Sequence, residues 1–248
     1  MKIVVCISHV PNTETKVNVG SDSKSLDPNG VAYIINPYDE FAIEEALKIK
    51  EVKGGEVAAI SVGPDANKES LRKALAMGAD SAVLLKDDNP RDSFGIAKAL
   101  ADEIKVQSPD LVFFGKQSVD YDDSIVGQLT AQLLDYNCVS VVVDLKVEEN
   151  KIIAEREIEG GREVVETLMP AVITAQKGLN EPRYPSLKGM MQAKKKTIEE
   201  KSPAPVEQLV EVISMKKPQA KQPGRIIGEG IEAVPELVRL LKEEAKVI

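Results

Sequence analysis

The chain has no tryptophan, only 4% aromatic residues and a single histidine, His9. Its core must therefore be packed by Val, Ile, Leu and Ala, and a Ser-His-Asp arrangement would depend wholly on that one imidazole. Cysteine is almost as scarce. Cys6 and Cys138 have no metal-ligand spacing and fall in apolar runs, which reads as two buried free thiols in a reducing cytosol. No apolar run reaches the roughly 18–20 residues a membrane-spanning helix needs. The opening MKIVVCISHV lacks a small-residue cleavage site, so it reads as the first β-strand of a mature cytoplasmic protein. Two phosphate-binding fingerprints are also missing: no G-x-G-x-x-G follows the first strand, and G-x-x-x-x-G-K-[ST] is absent. The net charge of −8 argues against nucleic acid or an anionic membrane as the main partner. With no evident nucleophile–base pair, the residues suggest a cofactor holder without acid–base catalytic residues. His9 is then expected to be exposed or to flank a ligand.

What is present is ordinary globular material: 248 residues, 43% hydrophobic and 29% charged, enough to bury a sizeable core. Short β-branched runs alternate with amphipathic segments up to about residue 145. Strands are expected at Ile3–Ile7, Glu56–Val62, Ala82–Leu85, Asp110–Phe114 and Val139–Leu145. Helices are expected at Ala42–Lys50, at Leu71–Met77 before a left-handed cap at Gly78, around Ile96, Leu100 and Ile104, and at Ile125–Leu134. Strands apolar on both faces and separated by single helices predict a doubly wound α/β domain with a mainly parallel sheet. Lys151–Ile158 and Arg162–Leu168, flanking Gly160-Gly161, predict a β-hairpin, and Ala171–Ala175 a further strand. From Asn180 onward Pro and Lys become frequent and periodicity fades. A last amphipathic helix starts near Pro235, with Leu237, Leu240 and Leu241 on its apolar face. Such a tail suits an extended C-terminal arm that lies on a partner.

The segment Leu111–Leu134, LVFFGKQSVDYDDSIVGQLTAQLL, carries the chemistry. A buried strand ends at Phe114, Gly115 permits an unusual turn, and a polar loop leads to a helix beginning near Asp123. Ligands of open α/β sheets sit beyond the carboxyl ends of the strands, and a helix start favours an anion. Lys116, Gln117, Ser118 and Ser124 could add donors to a phosphate. Asp120, Asp122 and Asp123 would repel one if they faced it. A carboxylate cap on the helix or a magnesium site are the alternatives that local sequence leaves open.

Four stretches in this order resemble the beta subunits of electron transfer flavoproteins: NPYDEFAIEEALKIKE at Asn36–Glu51, ALAMGAD at Ala74–Asp80, FGKQSVDYDDSIVGQ at Phe114–Gln128, and PAVITAQKGLNEPRYPSLKGMMQAKKK at Pro170–Lys196. The resemblance implies a Rossmann-like adenine-nucleotide-binding domain over residues 1–180, a partner-recognition loop and helix over 181–200, and an arm over 201–248. It implies a heterodimer with an alpha subunit that holds most of a redox-active FAD, while this subunit buries an AMP without redox role. Carried over, the AMP contacts fall on Cys6, Asn36, Pro37, Tyr38, Asp39 and Val62, with Cys6 and Val62 acting through backbone atoms. The remainder fall on Gly115, Lys116, Gln117, Ser118, Val119, Asp120, Tyr121, Asp122, Asp123, Ser124, Ile125 and Val126. The carboxylates are expected to turn toward caps, ribose or solvent while backbone amides from Val119 to Val126 hold the phosphate.

The same resemblance makes Leu187 the apolar anchor of a mobile docking loop at Asn180–Ala193, entering a pocket on a flavoprotein dehydrogenase. Lys194–Lys196 would be a solvated face or a rim that steers an acidic partner. Electrons would pass from acyl-CoA dehydrogenases or similar flavoproteins to a quinone-linked oxidoreductase, with neither nucleic acid nor membrane insertion involved. LNEPRYPSL and the DYDDS loop are similar to the AMP-holding branch of the family. Another branch holds a second FAD there and splits electron pairs. Thr13 stands where some members place a flavin-facing Tyr. A stand-alone adenine-nucleotide sensor is the alternative from a different class, and the long arm argues against it.

Overall fold

The computed structural model describes residues 1–220 and 223–248. The chain runs β1 (Lys2–Cys6), β2 (His9–Pro11), β3 (Tyr33–Ile35), α1 (Pro37–Lys53), β4 (Glu56–Gly63), α2 (Lys68–Met77), β5 (Ser81–Lys86), α3 (Ser93–Gln107) and β6 (Leu111–Gly115). It continues through α4 (Val126–Leu134), β7 (Asn137–Val147), β8 (Lys151–Ile158), β9 (Gly161–Leu168), β10 (Ala171–Ala175), α5 (Leu187–Lys195), β11 (Ile198–Lys201) and α6 (Val234–Glu243). Nine strands form one sheet in the order β11-β5-β4-β1-β6-β10-β7-β8-β9. The pairings from β11 across to β7 are parallel, and the β8–β9 hairpin closes the far edge antiparallel. This is the doubly wound, mainly parallel α/β architecture expected of the sequence.

Apolar residues alternate between two cores. Ile3, Val5, Val57, Ala59, Leu111 and Phe113 face α1 and α2. Val4, Cys6, Ala58, Ile60, Val112 and Phe114 face α3 and α4. Burial on both faces is why these strands read as unbroken apolar runs. From β1 the chain steps outward to β4 and β5, then returns to lay β6 on the other side of β1. That reversal opens a crevice at the carboxyl ends of β1 and β6.

Boundaries differ from expectation where backbone chemistry decides. Helix α1 starts at Pro37, five residues before the apolar pattern begins. Proline suits the first turn, Asp39 and Glu40 complement the helix start, and Lys50 and Lys53 its end. Helix α4 begins at Val126 and not near Asp123, because Asp122 and Ser124 hold φ of 54° and 52°, which a right-handed helix cannot include. Gly78 ends α2 with φ 137°, the positive value a glycine takes readily.

Two features were not anticipated. β2 and β3 pair as a small antiparallel ribbon. β11 adds itself to the outer edge beside β5, although only Ile198 of its four residues is buried. Cys138 corrects a sequence expectation. Cys6 is buried, but Cys138 is exposed, because alternation along β7 sends Val139 inward and its neighbour outward. Beyond β11 the chain crosses the start of α3, where Leu209 and Val210 donate their N–H groups to Asp92 at 2.6 and 3.0 Å. Helix α6 buries none of its residues. No helix among the described residues is long and apolar enough to cross a membrane.

Candidate functional site

The crevice is built by the ends of β1, β4 and β6 and the start of α1. Cys6 closes β1 and is buried; burial, with Asp39 nearby, pushes its thiol well up and keeps it protonated. Val62 lies near the end of β4, where its carbonyl accepts a hydrogen bond from Asn67 Nδ2 at 2.9 Å. Gly115 ends β6. Its role is space and not an unusual turn: a Cβ there would lie 2.6 Å from Tyr38 Cβ and 2.8 Å from the Tyr38 carbonyl carbon. The start of α1 and the end of β6 therefore meet at backbone contact.

Residues 116–125 then form a loop. Lys116 places its ammonium 5.1 Å from the centre of the Tyr38 ring, a cation–π arrangement. Ser124 donates its hydroxyl to the Lys116 carbonyl at 2.8 Å, closing the loop on itself. The Asp122 N–H bonds the Ser118 carbonyl at 2.9 Å, and Gln117 Nε2 donates to the Asp122 carboxylate at 2.6 Å. Asp123 accepts from the Ser93 hydroxyl, at the start of α3. Asp120, Asp122 and Asp123 are all exposed. Tyr121 is 65% exposed, with its phenol pushed up by burial and by Asp120 and Asp123.

The carboxylate-cap alternative fails at α4. Its N-cap residue is Ile125, no side chain caps it, and its first turn carries no acidic residue. By contrast Asp92 caps α3 through the Gly95 N–H at 2.7 Å. The α4 start thus leaves its first amide groups and the positive end of its dipole without a side-chain anion. No group of three or more His, Cys, Asp or Glu converges among the described residues.

The structure brings Cys6, Asn36, Tyr38, Asp39, Gly115, Lys116, Gln117 and Val119 to one end of the sheet. It also separates them by role. Asn36 and Asp39 are buried and turned inward, onto Ser8, Gly115, Gln117 and Val119. Sequence reasoning missed Ser8 and Ser93, and neither lies in a pattern that marks it. His9, half-buried, hydrogen-bonds Ser70 Oγ through Nδ1 at 2.9 Å and stacks on Tyr33 with ring centres 5.1 Å apart. Burial pulls its pKa down, opposed by Glu69.

A second site lies across α1. Leu187 opens α5 and is 79% exposed, so it is not a packing residue of this chain. Tyr184 is also exposed. The loop before them is tied to α1 at Asn180 and Arg183. Asn180 Nδ2 donates to the Phe41 carbonyl at 3.0 Å and to Glu45 at 2.9 Å. Arg183 grips both oxygens of buried Glu44, at 2.8 and 2.9 Å, and also reaches Glu51. Lys196 donates to the Ala79 carbonyl at 2.7 Å, so that lysine fastens α5 and is not part of a free basic rim.

Comparison with known proteins gives these two sites a family. The model of the electron transfer flavoprotein domain matches residues 24–206. The electron transfer flavoprotein subunit beta of Bacillus subtilis (strain 168) is 39% identical over 259 residues, covering 100% of both chains. That of Bradyrhizobium diazoefficiens is 38% identical over 253 residues, again covering 100% of both. The human subunit beta is 36% identical over 256 residues, 100% of this chain and 99% of that one. Matches of this length leave no part of the chain unaccounted for, and the chain belongs to the electron transfer flavoprotein family, as a beta subunit.

Proposed function

We propose that this chain is the nucleotide-holding half of a heterodimeric electron carrier, binding AMP as a structural part while an alpha subunit holds the FAD. The observation that carries the reading is the cradle at the β6–α4 junction. Its carboxylates point outward or bond their neighbours, and the helix behind it starts without a side-chain cap. A phosphate is the ligand such a helix start favours, and Lys116, in the loop before it, would add a cation. The absence of an acidic residue from the first turn of α4 is what makes the fit.

FAD supplies the redox chemistry when bound to the partner, and the protein tunes its potential and its exposure. This chain's residues do the holding. This chain helps enclose the FAD that it shares with the alpha subunit, although Thr13, exposed on the loop after β2, offers it no aromatic face. The arm supplies apolar surface for that subunit: Leu209, Ile213, Ile226 and Ile231 are each exposed by more than half. Leu187, exposed at the start of α5, is the anchor for flavoprotein dehydrogenases such as those acting on acyl-CoA. A quinone-linked oxidoreductase receives the electrons.

Expression with and without the alpha subunit tests the reading. A yellow complex that forms only with the partner is the expected result. A colourless homodimer that exchanges ATP freely would show a stand-alone sensor instead.

A further inference from the structure

Asn36 and Asp39 fall among the positions where the resemblance places nucleotide contacts, yet they are 0% and 4% exposed and their polar atoms are already engaged. Asp39 Oδ2 accepts the Ser8 N–H at 2.7 Å, just beyond the end of β1. Its Oδ1 accepts the Gly115 N–H at 2.9 Å, at the end of β6, and Asn36 Nδ2 at 2.9 Å. Asn36 Nδ2 also donates to the Gln117 carbonyl at 2.9 Å, while its Oδ1 accepts the Val119 N–H at 3.3 Å. Two adjacent side chains thus tie together the end of β1, the end of β6 and the first half of the loop. We propose that Asn36 and Asp39 are a positioning clamp that sets the backbone of residues 115–119 for nucleotide binding and does not itself touch the nucleotide.

The contact at Gly115 shows why a clamp is needed. The end of β6 meets the first turn of α1 there with no room for a Cβ, so the two elements approach closely. Asp39 is the group that accepts both backbone N–H donors across this approach, the half-buried one of Ser8 and the buried one of Gly115. Without it, Gly115 would hold a buried donor with no acceptor. Of the loop's other hydrogen bonds, those from Ser124 to Lys116, from Asp122 to Ser118 and from Gln117 to Asp122 shape it internally, while the Lys116 N–H on the Ala175 carbonyl and the Ser93 hydroxyl on Asp123 tie it to β10 and α3 and not to β1 or α1.

The proposal rests on the nucleotide reading above, and the test separates the two. The heterodimer with its alpha subunit is purified as wild type and as Asp39→Asn, which keeps the shape but turns one acceptor into a donor. Release of bound AMP is followed by exchange against labelled AMP, and binding is compared for AMP and its 2′- and 3′-deoxy analogues. The clamp predicts that Asp39→Asn releases AMP about tenfold faster or more while the flavin absorbance is unchanged. It also predicts the same factor for all three nucleotides, because the variant shifts the cradle and removes no ribose contact. An unchanged release rate overturns the clamp. So does a penalty that disappears with one deoxy analogue, which would make Asp39 a direct ligand. If Asp39→Asn yields no folded heterodimer, Asn36→Ala removes only the ties that Asn36 makes and carries the same expectations. A wild-type heterodimer that holds no adenylate would instead overturn the nucleotide reading itself.

Discussion

Burial takes the Asp39 carboxyl out of water and pushes it up to about 7, although hydrogen bonds from Ser8, Asn36 and Gly115 pull it down; nearby Asp120 adds to the rise. The other ionisable groups around it are the Cys6 thiol and, over the Tyr38 ring, the Lys116 ammonium; Glu40 on the same helix is paired with Lys73. An unfolded Asp titrates near 3.8. Between these values the folded chain keeps a proton that the unfolded chain has lost. The contribution of this group to stability is therefore complete below about pH 4 and disappears as pH rises through about 7. Urea unfolding of the heterodimer at several pH values should show it. Wild type should lose stability relative to Asp39→Asn by up to ~1.4 kcal/mol per pH unit across that window. Parallel pH profiles would mean that Asp39 is ionised throughout. Leu187 offers a separate test at this scale. Leu187→Ala should leave stability within about 0.5 kcal/mol, since an exposed side chain buries nothing in this chain. Electron delivery from the dehydrogenase should fall about tenfold or more, as for a buried anchor of an interface. Lost AMP in that variant would place Leu187 in the nucleotide site instead.

Helix α1 ties down two loops. Its start carries Asn36 and Asp39 under the loop at 116–125, and its middle carries Glu44 and Glu45, which hold Arg183 and Asn180 of the loop before α5. Arg183→Ala should cost about 1–3 kcal/mol, because Glu44 would remain buried without its partner. It should also slow electron delivery while AMP content stays the same, measured by nucleotide extraction and by reduction with the dehydrogenase. A variant that docks at wild-type rate would show that the loop needs no fastening. How far these elements could be read beforehand follows from the range of their interactions. The runs around Val4, Ala58 and Val112, buried on both faces, announce the parallel strands from sequence alone. β11 does not, because only Ile198 is buried and its pairing depends on β5, more than a hundred residues earlier. The Asp39 carboxylate is similar: its partners lie 31 and 76 residues away, at distances no local pattern encodes.

In the whole molecule, the doubly wound sheet puts the candidate nucleotide cradle at the strand ends, the loop that carries Leu187 beside α1 and an arm with exposed apolar residues beyond. The polarity of the β6–α4 segment marked an anion site in the sequence. The direction its aspartates take was not legible there, because it depends on the left-handed turns at Asp122 and Ser124. The proposed function gives the arm to the partner subunit because α6 buries nothing within this chain, and Leu237 and Val238 remain about 45% exposed. By the proposed function the cradle holds an adenosine monophosphate while the redox-active FAD is held mostly by the partner. The most direct measurement is extraction of nucleotides from the purified heterodimer, followed by chromatography and mass spectrometry. The account predicts one AMP and one FAD per heterodimer. Two FAD, or FAD without any adenylate, would contradict it.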